Sequence, residues 1–157
     1  MLAPYEPGNE AAWLGSFRFA VEVRPRYCEC DGQRHVSNVV YPAYLEFSRL
    51  QFFKSAGDPE PGDFAFQHVT AELRLRYIAA CYYDEPIAVH SKLIALGRSS
   101  AVMDQAMAGP DGTIRALSRV AIVRSRGAGA TPWSLAQRAA LERFSGAALP
   151  AGPPERS

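Results

Sequence analysis

The sequence is poor in the residues that would build a covalent or metal framework. It has three cysteines, Cys28, Cys30 and Cys81, and an odd number of thiols cannot all pair within one chain. The Cys-x-Cys spacing is neither the Cys-x-x-Cys of redox enzymes nor half of a zinc ribbon. Cys28, Cys30 and His35 could together bind a metal ion, but no fourth ligand stands near them in the sequence. Free thiols, with no metal or redox cofactor, are therefore the favoured interpretation.

The sequence also lacks a large excess of acidic or basic residues, and it lacks long apolar segments. Seventeen Lys and Arg residues stand against sixteen Asp and Glu residues, which leaves a formal net charge of +1. Such a balance gives no bulk attraction to nucleic acid or to an anionic membrane. No stretch approaches the roughly 18 apolar residues of a membrane-spanning helix, and the N-terminal residues lack the features of a signal peptide. We expect a cytoplasmic protein without nucleic-acid or membrane partners.

What the chain does have is the composition of one globular domain. Its 157 residues are 48% hydrophobic and 21% charged, a balance typical of a folded core rather than of disorder. A domain of this length buries enough surface to need no disulfide or metal. Residues 1–16 are expected to form an irregular arm anchored by Trp13, and residues 17–145 the single domain. Residues 146–157, rich in Ala, Pro and Gly, are expected to form a loose tail.

Alternation of apolar and polar residues predicts five strands. In residues 17–23 and 69–77 every second side chain is apolar, which is the period of a half-buried strand. Three more apolar runs follow, separated by Gly97 and by the turn sequence Pro110-Asp111-Gly112. These runs cover residues 87–96, 100–108 and 113–124. Because the connections between them are short, a meander is the simplest arrangement.

One long helix is predicted between the first two strands. Residues 39–56 contain no glycine, and Pro42 stands where a first helical turn tolerates proline. Ser37 or Asn38 would cap the start of the helix, because a short polar side chain can accept hydrogen bonds from the first turn. Gly57 is placed to end it.

The helix carries apolar residues around much of its circumference, which predicts burial on several sides. One apolar stripe is Tyr41, Tyr44, Leu45, Ser48 and Phe52, and the second is Val40, Ala43, Phe47 and Leu50. Glu46 and Arg49 are spaced for an ion pair on the helix. A further short helix is predicted over 133–144. The order of elements indicates an α+β fold in which one helix faces one antiparallel sheet.

The candidate chemical site is the polar loop that leads into the long helix. Asp31, His35 and Asn38 place a carboxylate, an imidazole and a carboxamide just ahead of the helix N-terminus. The first turn of a helix offers unpaired N–H groups and a positive dipole end, which can stabilise an oxyanion formed from a carbonyl. Asp31 could attack that carbonyl or deprotonate a water molecule, with His35 and Asn38 orienting the water or the substrate.

Each of these residues also has a structural interpretation. Asp31 followed by Gly32 is a common turn pair. Asn38 would serve equally as a helix cap, and His35 could simply hydrogen-bond loop carbonyls. Residue types and spacing alone leave the catalytic and the structural roles open.

The loop and the helix share spaced residues with a known enzyme family. The pattern is Tyr27-x-Glu29-x-Asp31-x-x-x-His35-Val36-Ser37-Asn38-x-x-Tyr41-x-x-Tyr44-x-Glu46-x-x-Arg49. It resembles the signature of the hotdog-fold thioesterases and is most similar to the 4-hydroxybenzoyl-CoA thioesterase-like branch of acyl-CoA thioesterases. The stretch from Asp31 to Asn38 also resembles the motif of acyl-carrier-protein thioesterases. The likeness extends over residues 17–143.

The resemblance implies a fold and a reaction. The fold would be a curved five-stranded antiparallel sheet wrapped around one long central helix. The reaction would be hydrolysis of an acyl-CoA or acyl-carrier-protein thioester to a free acid and a thiol, with Asp31 as nucleophile or general base. His35 and Asn38 would assist, while backbone N–H groups at the helix start polarise the thioester carbonyl. These N–H groups would belong to Val39, Val40 and Tyr41.

The resemblance also implies partners. Two copies of the chain would pair as a homodimer, or further as a dimer of dimers, with the site at the interface between copies. The acyl group would enter between the copies, against aromatic side chains such as Tyr44, Phe47, Phe64 and Phe66. Coenzyme A carries phosphates that favour basic surface. The first candidates to bind them are Arg98, Ser99 and Ser100, followed by Arg124 and Arg126.

The sequence departs from the family pattern in the loop. Arg34 stands where the family often has glycine, and Gln33 and Ser37 replace asparagines. The long cation of Arg34 is close enough to affect Asp31, either by favouring its ionised form or by shielding it. These changes bear on rate and on substrate choice more than on the fold.

Two other functions stay open. A hydratase or dehydratase on the same fold would also use a histidine with an acid, but in motifs that this sequence does not show. A non-catalytic acyl-CoA-binding module would keep the pocket and would not need Asp31. The acyl class, and the choice between coenzyme A and a carrier protein, are equally open.

Overall fold

The structure is a computed structural model that describes residues 7–59, 67–127 and 129–152. The helices and strands, in chain order, are α1 (Glu10–Gly15), β1 (Phe19–Val23), α2 (Tyr41–Ala56), β2 (His68–Tyr77), β3 (Ile87–Leu96), β4 (Ser100–Ala108), β5 (Ile114–Arg124) and α3 (Leu135–Ser145). A single 3-10 turn, Tyr27–Glu29, precedes α2. None of the helices in the described ranges is long and apolar enough to cross a bilayer.

All five strands belong to one antiparallel sheet, in the order β1-β3-β4-β5-β2. β3, β4 and β5 form the expected meander, because each is joined to the next by a short turn. β2 instead crosses to the far side and pairs with β5, so β1 and β2 are the edge strands. One long helix against this sheet is the hotdog arrangement that the sequence resemblance implied, and the predicted fold class is confirmed.

The end of α2 matches the prediction, whereas its start does not. Gly57 ends the helix as expected, at a φ of 70° that suits a residue without Cβ. The predicted cap at Ser37 or Asn38 is wrong, because a turn over these residues delays the helix and Val40 becomes the N-cap without any side-chain hydrogen bond. The first N–H groups of α2 therefore lack the side-chain acceptor that usually satisfies them.

The main core lies between α2 and one face of the sheet. Side chains at spacings of three and four residues, including Leu45, Phe52 and Phe53, are buried against strands β3, β4 and β5. Only the first of the two predicted stripes is buried in this way. In the second stripe, Ala43 and Phe47 are exposed within a single chain.

The N-terminal arm covers the opposite face of the sheet. It contains the short helix α1, although an irregular arm was expected, and Trp13 is buried as predicted. Trp13 and Phe17 contact each other edge to face and pack on Ala106 and Leu117. β4 is consequently buried on both faces over much of its length.

The C-terminal segment closes one end of the sheet. α3 begins with a capping box in which Ser134 and Gln137 satisfy each other's backbone N–H groups. Residues 146–152 have no regular secondary structure, although Leu96 N–H of β3 donates to Pro150 O and so ties this segment to the sheet.

A buried polar network joins α2 to the sheet. Arg49 is 3% exposed and donates to Gln105 Oε1 at 3.0 Å. Gln105, fully buried, in turn donates to Leu45 O at 2.9 Å and to Ser91 Oγ at 2.8 Å. The predicted ion pair of Glu46 and Arg49 is wrong, because the Arg49 guanidinium bonds within this network while Glu46 is exposed. Burial lowers the pKa of Arg49, since desolvation penalises its charge.

Candidate active site

The loop that carries Asp31 is a small closed hairpin. Cys30 and Val36 form an antiparallel bridge at its base, and Asp31 N–H donates to His35 O at 2.8 Å across the tip. His35 also bridges to Tyr82, so the loop is joined to the turn between β2 and β3. These backbone hydrogen bonds hold the loop on both sides of Asp31 and so fix the place of its side chain.

The Asp31 carboxylate is held by one oxygen only. Its Oδ1 accepts the backbone N–H of Gln33 at 2.8 Å and that of His35 at 3.2 Å. The other oxygen, Oδ2, has no hydrogen-bond partner in the described part of the chain, and the residue is exposed. Such a carboxylate is oriented by its loop and still has an oxygen available for a substrate or a water molecule.

The N-terminus of α2 presents backbone donors next to this loop. Val40 N–H is engaged, because it donates to Ser37 O at 2.9 Å. Val39 N–H and Tyr41 N–H have no acceptor among the described residues. Unpaired N–H groups and the positive end of a helix dipole are the groups that can stabilise negative charge on an oxygen atom.

His35 and Asn38 are both near the site, but their side chains make no hydrogen bond within the described ranges. The imidazole of His35 is half-buried and packs edge to face on Tyr82, with 5.1 Å between ring centroids. Asn38 is exposed, and it is its backbone oxygen that accepts a hydrogen bond, from the Tyr77 hydroxyl at 2.8 Å. The predicted assisting roles of both side chains stay predictions.

Glu29 forms the support under the loop, a role that the sequence pattern did not reveal. Its carboxylate accepts hydrogen bonds from the Arg26 guanidinium at 2.8 Å, from Arg26 N–H at 2.7 Å and from the Tyr44 hydroxyl at 2.7 Å. Its own carbonyl accepts Ser37 N–H. The hydrogen bonds from Arg26, aided by that from Tyr44, lower the pKa of Glu29 to about 2, although partial burial acts in the opposite direction.

This lowered pKa predicts a specific acid sensitivity. Glu29 ordinarily titrates near 4.5, so folding favours its ionised form, and its contribution to stability is complete above that pH and is lost as the pH falls from 4.5 towards 2. We expect the unfolding free energy of Glu29→Gln to depend less on pH in this interval than that of the wild type. Urea unfolding at a series of pH values measures this. Identical slopes for the two proteins would contradict the prediction, and the exposed Glu22→Gln is the control.

The turn between β2 and β3 supports the site from behind. Val36 N–H donates to Cys81 O, and Cys81 N–H donates to the hydroxyl of Tyr41 at 3.0 Å. Burial raises the pKa of the Tyr41 hydroxyl, which therefore stays protonated at neutral pH. Glu85 accepts Tyr82 N–H and is itself paired with the half-buried Arg115. These residues fix the connection between β2 and β3, to which the Asp31 loop is joined by the bridge between His35 and Tyr82.

A pocket of about 590 Å³ opens beside Asp31. Its lining residues are Tyr27, Cys30, Asp31, Gly32, Arg34 and Tyr83. The rings of Tyr27 and Tyr83 meet edge to face, with 6.0 Å between their centroids. A site of this size with aromatic walls and one carboxylate is suited to a small organic substrate.

The predicted phosphate-binding residues lie elsewhere in the single chain. Arg98 and Ser99 form the turn after β3, and Ser100 begins β4. This turn is roughly 30 Å along the strand from Ile87, which packs with Cys30 and Val36 of the Asp31 loop. Arg124 is buried, and its guanidinium donates to Pro132 O and Gln67. A buried, bonded arginine is not available to a phosphate, whereas Arg126 is exposed.

Two of the aromatic residues predicted to line the acyl path can be placed. Tyr44 is buried and bonded to Glu29, so it supports the loop rather than a path for substrate. Phe47 is 42% exposed on the outer side of α2. Phe64 and Phe66 lie outside the described residues.

The three thiols are free, and Cys28 is exposed, Cys30 half-buried and Cys81 buried. The described ranges contain no cluster of three His, Cys, Asp or Glu side chains arranged to hold a metal ion.

Comparison with known proteins identifies the family. The family model described as the thioesterase superfamily matches residues 33–115, which is more than half of the chain and includes the helix, β2, β3 and β4. The chain belongs to the thioesterase superfamily. Thioester hydrolysis is the general chemistry that this membership supports. No curated protein matches the chain.

Solved structures of thioesterases share the fold. A Thermus thermophilus thioesterase, complexed with coenzyme A and zinc, is 24% identical with a TM-score of 0.74, over 83% of this chain and 97% of that one. A thioesterase superfamily protein from Jannaschia sp. is 23% identical with a TM-score of 0.74, over 94% and 99%. The DHNA-CoA thioesterase of Staphylococcus aureus is 18% identical with a TM-score of 0.64, over 74% and 79%.

Proposed function

We propose that this member of the thioesterase superfamily is an acyl-CoA thioesterase that hydrolyses its substrate with Asp31 as the reacting carboxylate. The observation that carries the proposal is the pattern of hydrogen bonds at the Asp31 carboxylate. Oδ1 is held by two backbone N–H groups, while Oδ2 has no described partner. The Asp31 loop leads into α2, at whose start Val39 N–H and Tyr41 N–H have no acceptor among the described residues. A carboxylate and an oxyanion site are the two components that acyl transfer requires.

Two routes use the same groups. As a general base, Asp31 takes a proton from water, the water oxygen bonds to the thioester carbon, and the C–S bond breaks as the thiolate leaves. As a nucleophile, Asp31 Oδ2 bonds to that carbon, the thiolate leaves, and water then hydrolyses the mixed anhydride. In both routes negative charge forms on the carbonyl oxygen, where N–H groups of Val39 and Tyr41 would donate to it. His35 and Asn38 would orient the water or the substrate.

A homodimer is the second part of the proposal. β2 is a ten-residue edge strand whose side chains are mostly exposed in a single chain, and an unpaired edge of this length is a template for pairing. Ala43 and Phe47 of α2 are likewise uncovered. A second copy packed beside β2 and α2 would cover both surfaces, and a further pair of copies would form the dimer of dimers.

Such a dimer would also give a role to the turn that contains Arg98 and Ser99, which lies far from Asp31 within one chain. If two β2 strands pair antiparallel about a two-fold axis, the His68 end of one lies beside the Tyr77 end of the other. In each copy the Ser100 end of β4 lies two strands, about 10 Å, from the His68 end of β2. Arg98, Ser99 and Ser100 of a second copy would then approach the site that contains Asp31. Binding of coenzyme A phosphates by these residues therefore rests on the dimer.

The proposal is tested by thiol release from a panel of aromatic and straight-chain acyl-CoA esters, with the mass of the protein in solution measured in parallel. We expect one free thiol for each free acid formed, by a protein of twice the chain mass or a multiple of it. An acyl-carrier-protein ester in the same panel distinguishes the two carriers. Turnover of none of these esters would contradict the proposal.

The alternatives give other results. A hydratase would change the ultraviolet absorbance of an enoyl-CoA without releasing thiol. A non-catalytic module would bind acyl-CoA and leave the thioester intact.

A further inference from the structure

The backbone at Arg34 has an unusual conformation. Its φ is 64°, in the left-handed region that side chains with a Cβ adopt only at a cost. The closed loop requires this conformation, because Arg34 N–H donates to Asp31 O at 3.0 Å while His35 N–H reaches Asp31 Oδ1. Glycine would meet the same requirement without strain. The shape of the loop therefore does not explain why the residue is an arginine.

The Arg34 side chain, by contrast, lies where it could contact a substrate. It lines the pocket that contains Asp31, Tyr27 and Tyr83, and it is the only cation of that lining, as Asp31 is its only carboxylate. Two other arginines near this loop and its support are already paired, Arg26 with Glu29 at 2.8 Å and Arg115 with Glu85. No ion pair formed among the described residues includes Arg34. An exposed, unpaired guanidinium beside the reacting carboxylate is free to bind an anion.

We propose that Arg34 binds a carboxylate at the distal end of the acyl group, so that the enzyme prefers thioesters of dicarboxylic acids. This inference rests on the proposed thioester hydrolysis at Asp31. A guanidinium binds a carboxylate through two parallel hydrogen bonds, which lysine or a neutral side chain cannot reproduce. The rings of Tyr27 and Tyr83 would pack against the methylene groups between the two ends of the acyl chain.

Two physical arguments favour the acyl group over the phosphates of coenzyme A as the source of this anion. Residues 31 and 34 are the ends of one tight turn, whose Cα atoms lie within about 7 Å, so the Arg34 side chain is long enough to reach an acyl group bound beside Asp31. The phosphates are separated from the thioester by the whole pantetheine arm. A second carboxylate placed near Asp31 would also be repelled, and a cation between them offsets that repulsion.

The test compares esters of equal chain length. We expect the ratio of kcat/KM for adipyl-CoA to that for hexanoyl-CoA to exceed one in the wild type, and to fall about ten- to a hundredfold in Arg34→Gln, because a hydrogen-bonded charge pair is lost. Arg34→Lys should restore part of the ratio. Arg34→Gly, which removes the strain together with the guanidinium, is a second variant that should fold. Arg143→Gln, an exposed arginine on α3 outside the pocket, is the control and should keep the wild-type ratio.

Other outcomes overturn the inference in distinguishable ways. An unchanged ratio in Arg34→Gln and Arg34→Gly would refute it and leave thioester hydrolysis intact. Equal losses on both CoA esters, with none on the corresponding N-acetylcysteamine thioesters, would assign Arg34 to the phosphates. If the wild type hydrolyses no ester, the proposed hydrolysis fails, and calorimetric binding of adipyl-CoA and hexanoyl-CoA tests Arg34. Equal affinities would then refute the inference, whereas an Arg34-dependent preference for adipyl-CoA would support it.

Discussion

Replacement of Asp31 by asparagine should lower kcat/KM for acyl-CoA hydrolysis by at least about a hundredfold, because asparagine neither takes a proton nor attacks a carbonyl. The loop should survive the change. The carbonyl oxygen of asparagine can still accept Gln33 N–H and His35 N–H, which in the wild type bond to Asp31 Oδ1. The measurement is thiol release by both proteins at equal concentration, together with the affinity of each for the ester.

The matched control is Asp84→Asn. Asp84 is also an exposed aspartate and has a positive φ of 56°, a conformation that asparagine tolerates. It should keep wild-type turnover. Equal turnover by Asp31→Asn and the wild type would remove Asp31 from the reaction. Loss of ester binding in Asp31→Asn would point instead to a collapsed site.

Replacement of Gln105 by leucine should cost about 3 to 5 kcal/mol of unfolding free energy, the second large effect that we expect. Gln105 supplies the acceptor for the buried guanidinium of Arg49, at 3.0 Å, and donates to Leu45 O and Ser91 Oγ. Leucine fills a similar volume but leaves a buried charge with less compensation. Urea unfolding at one fixed protein concentration gives the value, because pairing of subunits would otherwise shift it.

A double variant separates the charge from the packing. Arg49→Met together with Gln105→Leu removes both partners, so its cost should be smaller than the sum of the two single costs. Ser48→Ala removes only the hydroxyl that bonds Val89 O and Ser91 Oγ, and about 1 kcal/mol is expected. Additive costs for Arg49 and Gln105 would show that the two side chains do not act together.

The elements that the sequence predicted well are those with a strong local signal. The alternating pattern of β2 and the run of β3 up to Gly97 are present within a residue or two of the expected bounds. Gly57 ends α2 as predicted, because a C-cap glycine depends only on the local backbone conformation. The position of β2 beside β5 is not local, since it depends on which edge of the sheet the chain reaches.

The misplaced interactions involve residues whose partners are distant in sequence. Spacing on a helix suggested Glu46 for Arg49, whereas the actual acceptor Gln105 is 56 residues away. Asn38 has the residue type of a cap, but the tight turn before α2 leaves Val40 in that position. Burial and a long-range hydrogen bond determine the partner of Arg49, and a backbone turn determines the N-cap of α2. Residue types alone predict neither.

Within the candidate site, the motif located the loop and the structure supplied its geometry. Asp31 precedes the start of α2 by ten residues, so the sequence predicted one continuous segment from the loop into the helix. The selective use of Oδ1, and the support from Glu29, depend on the closed backbone of the hairpin and on Tyr44. The left-handed conformation of Arg34 could be anticipated only from the glycine that the family often has at that position.

The most direct test of the central claim is a parallel count of free acid and free thiol from one acyl-CoA ester that the wild type turns over. We predict equal amounts of both products with the wild type. With Asp31→Asn we predict almost none, although the ester still binds. Binding of the ester by the wild type with the thioester left intact, or equal product formation by the two proteins, would contradict hydrolysis at Asp31.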